Sequence, residues 1–339
     1  MFRVPKFRVP KFRLAIMAVV GGALALYILQ SIGLKPILLA ATAVGWRGFA
    51  SLCLYQLGQF VVLGIAWYVL IPASYRVHAR VFIWARMVRD ATSELLPFSH
   101  LGGIVLGVRT AIAQGVPQPV AVGSIVTDIT TEMLAQVVFT AAGVVVLTHT
   151  PHNSSAFFVT SSADIGLMSI IVCCAAFVAF QRYGRALTTK LILRLFPNAA
   201  PVAESVVNCV REVYRRPAKV GLAVFFHCAG WLASALSTWI ALVLMGVPAR
   251  VWPVLAIESL VCAVRSVAFW MPNGLGVQEA AYAAIAPLFG IGAEIGLAIS
   301  LLKRARDIAV GVPILLLWQW SEGRRFMQVS GAVVDRRMQ

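Results

Sequence analysis

Residues Ser93–Arg109 read SELLPFSHLGGIVLGVR, and residues Arg265–Ala280 read RSVAFWMPNGLGVQEA. Each is part of a membrane-length apolar stretch interrupted by a proline and, within a few residues, by glycine. The first break carries Pro97 with Gly102 and Gly103; the second carries Pro272 and Asn273 with Gly274 and Gly276. A helix does not run smoothly through proline followed by clustered glycine. At membrane depth, broken backbone persists only where protein or a hydrated cavity satisfies its N–H and C=O groups. Two such breaks in corresponding halves of a chain point to a transporter-like substrate site.

The surrounding composition agrees with a membrane setting. The chain has 339 residues, 60% of them hydrophobic and 12% charged, with a mean hydropathy of +0.85. An ordinary soluble domain is excluded, and a multi-pass α-helical protein is expected. The net charge of +16 fits basic cytoplasmic loops and contact with anionic lipid. Nucleic acid is not an expected partner, because the basic residues flank apolar spans and do not line a soluble face. The six cysteines, Cys53, Cys173, Cys174, Cys209, Cys228 and Cys262, have no metal-ligand spacing and read as small core hydrophobes. No metal or other cofactor is expected.

Positive-inside logic orders the spans. Residues 1–13 form a basic cytoplasmic tail, and Leu14–Ile32 follows it. At 19 residues this run exceeds the roughly 7–15 of a signal-peptide core, so it reads as an uncleaved first helix. A second span, Phe49–Ile71, is followed by Arg76, Arg80, Arg86 and Arg89, and the chain is back in the cytoplasm by Arg76. Residues 81–114 hold the first break. Pro119–Leu147 then leads to a loop without Lys or Arg, Ile165–Gln181 crosses back, and residues 182–219 form a basic interfacial linker. In it Val202, Val206, Val210 and Val213 recur at helical spacing. Val220–Met245, a second broken segment over Trp252–Leu288, and Ala293–Trp320 complete the order, with residues 326–339 as a cytoplasmic tail.

The parity of this topology makes both broken segments re-entrant hairpins that enter from opposite faces. The expected fold class is therefore all-α: a polytopic membrane protein with about six transmembrane helices and two re-entrant helical hairpins. They form one domain over residues 14–325. Its halves, 49–147 and 220–320, share the order span, hairpin, span in opposite orientation, an inverted repeat. After each break an apolar helix ends at Gly115-Val116 or Gly290-Ile291.

Eleven ionisable residues fall in or near these segments: Glu94, Arg109, Asp128, Glu132, Glu258, Arg265, Glu279, Lys303, Arg304, Arg306 and Asp307. Unpaired at the bilayer centre, each costs roughly 3 kcal/mol. The sum approaches roughly 30 kcal/mol, against a typical net stability of about 5–15 kcal/mol. They must pair, change protonation state or face water. Six are acids and five are bases, so this set carries −1 and the rest of the chain carries +17 of the total +16. Asp128 and Glu132 lie four residues apart, on one helical face, and need a counter-charge if both are to stay ionised. Arg109 is the expected counter-ion in the first half, and Arg304 stands opposite Glu279 in the second, with signs swapped. Such a network can be a set of interhelical locks, or locks that also hold a headgroup or a proton. The second limb of each hairpin, starting at Gly102–Gly103 or Gly274–Gly276, would turn free backbone N–H groups toward an anion such as a lipid phosphate. The tryptophans Trp231, Trp239, Trp252, Trp270, Trp318 and Trp320 read as interfacial anchors or packing.

These motifs resemble the flippase-like family related to the membrane domain of lysylphosphatidylglycerol synthase, and within it the members associated with hopanoid biosynthesis. The resemblance rests on SELLPFSHLGG, the following Arg109, the Asp128/Glu132 pair, MPNGLGVQEA with Glu279, and LLKRARD ending at Asp307. It spans Leu14 to about Arg325. The family pattern usually has Pro-Gly-Gly-Leu-Gly, where this chain has Asn273 in place of the first glycine. The resemblance implies a bacterial inner-membrane protein that moves, or helps move, an amphipathic lipid, a hopanoid or an anionic phospholipid, between leaflets; the basic tails place both termini in the cytoplasm. It also brings hopanoid-pathway enzymes in as possible partners. Two other classes are weighed against transport. An intramembrane lipid-modifying enzyme finds no catalytic motif here: no HExxH, no GxSxG, no Gly-rich nucleotide loop. A non-catalytic scaffold for hopanoid enzymes predicts that folded Arg109→Ala and Glu279→Ala variants retain function while surface-helix changes do not.

Overall fold

The computed structural model describes Leu39 and residues 42–95, 99–149, 200–268 and 274–338. Among these every regular element is helical. The expected first span Leu14–Ile32, the crossing Ile165–Gln181, linker residues 182–199, Pro97, Pro272, Asn273 and Trp270 lie outside the described residues. Nine α-helices are labelled here in chain order. The first half holds α1 (Gly45–Val69), α2 (Ala79–Leu95), α3 (Ser99–Ala113) and α4 (Gln118–His149). After α5 (Ala200–Tyr214), the second half holds α6 (Pro217–Leu244), α7 (Val251–Val267), α8 (Val277–Ile285) and α9 (Ala293–Met338).

Three of these are long and apolar enough to cross a membrane: Gly45–Val69, Gln118–Leu147 and Pro217–Leu244. Among the described residues the chain is thus all-helical, with spans of membrane length. Helix α9 is also long, but its LLKRARD segment sets four charges within five residues, Lys303 to Asp307, into the expected span. It continues unbroken past Trp320 to Met338. The pieces around the breaks are short: α2 and α7 have 17 residues each, α3 has 15 and α8 has 9. At a rise of 1.5 Å per residue, even the longest spans only about 26 Å, less than the roughly 30 Å hydrocarbon core.

Each broken segment is a helix–helix hairpin. α2 packs along α3, and α7 packs along α8. Both hairpins end the same way. Gly115 (φ +92) and Gly290 (φ +77) take left-handed conformations. The next residues, Val116 and Ile291, donate to the carbonyls of Ala111 and Ala286, five positions back, at 3.2 Å each. This is a Schellman-type stop, which needs a residue free to adopt positive φ. The local match between the two breaks therefore has a structural counterpart.

Each half has its own core. In the first, Trp67 (α1), Phe82 (α2), Val108 (α3) and Ile125 (α4) are buried together. In the second, Leu242 (α6), Ile257 (α7), Tyr282 (α8) and Ile299 (α9) form the matching cluster. The halves interlock reciprocally: α9 packs on α2, and α4 packs on α7. Phe60 and Val88 meet Val310 and Ile314 of α9; Ala235 and Leu255 meet Phe139 of α4. Both crossings depend on a glycine. A methyl group at Gly143 of α4 would sit 2.8 Å from the Ser259 Cβ and 3.5 Å from the Ala256 Cα. One at Gly311 of α9 would sit 2.8 Å from Leu95 Cδ1 and 3.5 Å from the Ala91 Cβ. Lacking a hydrophobic drive between helices, membrane helices associate through such close approaches.

The linker helix α5 is amphipathic as expected, but its buried stripe is Val206, Cys209 and Val213, with Val210 only half-buried. This face is taken up by the protein itself. Val206 joins the first-half core, and Val213 packs with Leu70 and Ala223.

Replacing Gly143 or Gly311 by valine should cost about 1–3 kcal/mol through overpacking, whereas alanine at Gly58, which has open space around it, should change stability by less than about 1 kcal/mol. Thermal unfolding of the detergent-solubilised protein measures both. Equal melting points for all three variants would show that the two crossings are not tight.

Candidate functional site

The acidic pair of α4 meets arginines from α2. Arg86 and Arg89 lie three residues apart and therefore share a face of α2, as Asp128 and Glu132 share one on α4. Arg89 donates to Asp128 at 2.7 Å and to Glu132 at 2.6 Å. Arg86 donates to Glu132 at 2.6 Å, to Asp128 at 3.3 Å and, within its own helix, to Asp90 at 2.7 Å. Asp128 is fully buried, and its other oxygen lies 3.0 Å from Nε2 of the fully buried His227 on α6. Two carboxylates facing two guanidiniums in a fork geometry satisfy the pairing that low dielectric demands.

This corrects two expectations. Arg86 and Arg89 are not cytoplasmic boundary charges; they are buried inside the first half, and only Arg76 and Arg80 stand exposed at that end of α2. Arg109 is not the counter-ion of Asp128 and Glu132. It sits 54% exposed on α3, donates to Glu322 of α9 at 2.6 Å, and lies 6.0 Å from the Trp318 ring. It ties the first hairpin to the far part of α9.

The second half carries the inverse charge arrangement. Glu258 of α7 accepts from Ser234 (2.8 Å) and Thr238 (2.8 Å) on α6, from Tyr282 (2.6 Å) on α8, and from Lys303 on α9. Glu279 pairs with Arg304, as the sequence suggested, and also accepts from the Ser300 hydroxyl at 3.3 Å and the backbone N–H of Gly276 at 2.9 Å. That last bond caps α8: Glu279 is its third residue, reaching back to the capping glycine. The anion seat expected at the second hairpin is thus filled by the protein's own carboxylate. Arg304 reaches on to the Gly274 carbonyl at 3.3 Å. Arg306 is buried against Ser237 (3.1 Å) and its neighbour Asp307 (2.9 Å). So α4 brings acids to bases on α2, while α9 brings bases to acids on α7 and α8. The expected swap of sign holds, with different residues on the first-half side.

Between the halves lies a cavity of about 490 Å³. Its basic lining is Arg86, Arg89, Arg265, Lys303 and Arg306; its acidic lining is Asp90, Glu94, Glu132, Glu258 and Asp307. Apolar wall is supplied by Phe60, Leu63, Ile129 and Trp231, the last stacked on Phe139. Met133 of α4 and Ser266 of α7 line it and are also exposed, so part of its wall reaches the protein surface. Arg265 crosses from one hairpin to the other and donates to Glu94 at 3.2 Å, which brings the ends of α2 and α7 together. Of the four described glycines at the breaks, only Gly274 lines the cavity. Gly103 packs against Arg89 and Ser93, Gly102 nears only Thr92, and Gly276 is buried at the α8 cap. Asp128, Glu279, Arg304 and Arg109 also lie outside the lining. Among the described residues no cluster of His, Cys, Asp and Glu could hold a metal ion.

The family model described as Lysylphosphatidylglycerol synthase TM region matches residues 12–314. No curated protein and no solved structure matches the chain.

Removing a partner from a buried ion pair costs about 3–5 kcal/mol, whereas an exposed pair is worth about 0–1 kcal/mol. Arg89→Ala should therefore sharply lower the melting temperature of the purified protein, and Arg109→Ala should barely move it. The reverse order in a thermal-shift measurement would contradict the pairing described.

Proposed function

The chain belongs to the lysylphosphatidylglycerol synthase transmembrane-region family, and on that premise we propose that it carries an amphipathic lipid between membrane leaflets. The observation that carries this reading is the cavity. It lies between two interlocked halves, it is lined with ion pairs, and two of its lining residues, Met133 and Ser266, stand exposed at the protein surface. A lipid headgroup needs a polar interior, and its acyl or polycyclic body needs a lateral opening toward the hydrocarbon. About 490 Å³ falls within the usual range for small-molecule sites, roughly 300–1,000 Å³.

In this reading the two hairpins enter the bilayer from opposite faces as the tips of an inverted repeat. The six long segments cross it, and both termini lie in the cytoplasm of a bacterial cell with this protein in its inner membrane. The short limbs of both hairpins and the reciprocal packing of α9 on α2 and of α4 on α7 support that arrangement. Transport is then a relative movement of the two hairpins around the charged lining. Hopanoids and anionic phospholipids are the cargoes that the sequence resemblance brings forward, and hopanoid enzymes are the partners it suggests.

One contact favours the second reading, a lipid-modifying enzyme. His227 on Asp128 resembles an acid–base pair. Neither residue lines the cavity, however, and Asp128 is already held by two arginines. A substrate in the cavity has no described path to that imidazole.

Reconstitution into liposomes tests the proposal through the headgroup accessibility of hopanoids and phospholipids over time. The protein should speed transfer by about tenfold or more over protein-free vesicles, equivalent to about 1.4 kcal/mol of barrier. If no lipid of either class moves faster, the transport reading is wrong. In a deletion strain, intact but mislocalised lipid supports transport, and a missing chemical species supports the enzyme.

A further inference from the structure

We propose that the cavity selects a zwitterionic headgroup, phosphate and ammonium together, which it binds by opening the Glu94–Arg265 bridge. This deepens the transport reading and rests on it. Three observations lead to it.

First, the lining carries five basic and five acidic side chains, and Asp128 behind it adds a third carboxylate on Arg86 and Arg89, so the wall holds no surplus cation. In low dielectric a headgroup with net charge needs an opposite charge in the wall. Here every charge brought by one side chain is already met by another, so an anion entering alone leaves the site with an uncompensated charge. A zwitterion exchanges partner for partner and preserves the balance.

Second, the pairs are not equally exposed. Glu258 has four donors and Glu132 is gripped by two guanidiniums. Glu94 and Arg265 are the most exposed pair in the lining, 33% and 29%, and meet at 3.2 Å. They sit on the two hairpins, between the halves. A phosphate on Arg265 and an ammonium on Glu94 would replace this bridge and leave the others intact. The Gln56 carbonyl oxygen, which also lines the cavity, is buried without a hydrogen-bond partner among the described residues, and it can accept from an N–H donor.

Third, the backbone site that would have suited an anion alone, the N-terminus of α8, is occupied by Glu279.

Native mass spectrometry tests the idea on wild-type protein and on Glu94→Gln, Glu94→Asp and Arg265→Gln, each equilibrated in mixed micelles of equal phosphatidylethanolamine and phosphatidylglycerol. The wild type should retain phosphatidylethanolamine about tenfold over phosphatidylglycerol. Glu94→Gln, with a lining of +1, should turn the preference toward phosphatidylglycerol. Arg265→Gln should lose both lipids, and Glu94→Asp should keep the wild-type ratio. Equal retention by the wild type, retention of neither lipid, or an unchanged ratio in Glu94→Gln would overturn the proposal. Soluble glycerophosphoethanolamine forms the second arm. If it displaces the lipid at equal concentration, the cavity takes a solute: the zwitterion selectivity stands and the lipid reading falls. Selective retention without movement between leaflets would likewise overturn transport and leave this selectivity in place.

Discussion

Among the described residues, most buried charges meet their opposites on another helix, and the tertiary arrangement follows from that requirement. Asp128 and Glu132 hold α4 against α2 through Arg86 and Arg89. Lys303 and Arg304 hold α9 against α7 and α8 through Glu258 and Glu279. Such pairs are weak sources of net stability, because desolvation offsets much of their Coulomb energy. They are strong sources of registry, because any slip leaves a charge bare. The glycine contacts at Gly143 and Gly311 complement them: small residues let α4 and α9 reach across to the opposite hairpin, and the ion pairs fix how far along they sit. A polar cavity can then persist inside an otherwise apolar bundle, since its walls are charged groups that have already been neutralised.

Much of this architecture was legible in the chain. Proline with nearby glycine marked both hairpins, and apolar length marked α1, α4 and α6. The four-residue spacing of Asp128 and Glu132 put both on one face, and Glu279 found Arg304 because adjacent helices offered few alternatives. The arginines of α2 were misread for a physical reason. Basic residues that follow a span usually lie at the cytoplasmic surface, and Arg86 and Arg89 follow Arg76 and Arg80 without a break in pattern. The segment assigned to the first hairpin, residues 81–114, nevertheless contained both. Their spacing of three, with Asp90 one turn after Arg86, was the available sign that they faced inward together. His227 gave only a faint signal, one imidazole in a 28-residue apolar helix. Spacing within a helix can show that α4 needs counter-charges; it cannot say which neighbouring helix supplies them.

Glu279 shows how one side chain can change the meaning of a motif. Glycine before a helix start suggests exposed N–H groups ready for an anion. Three residues into α8 the chain places a carboxylate that takes the role itself, and Arg304 then neutralises that carboxylate. The same residues that resemble a phosphate seat therefore make a rigid, closed turn on which Gly274 is presented to the cavity.

The bridge between Glu94 and Arg265 joins α2 of the first hairpin to α7 of the second. The larger charge sets close inside a half instead: α4 on α2, and α9 on α7 and α8. Each half thus settles most of its interior charge on its own side. What presses one half on the other is then left mainly to the glycine crossings and the apolar faces beside them.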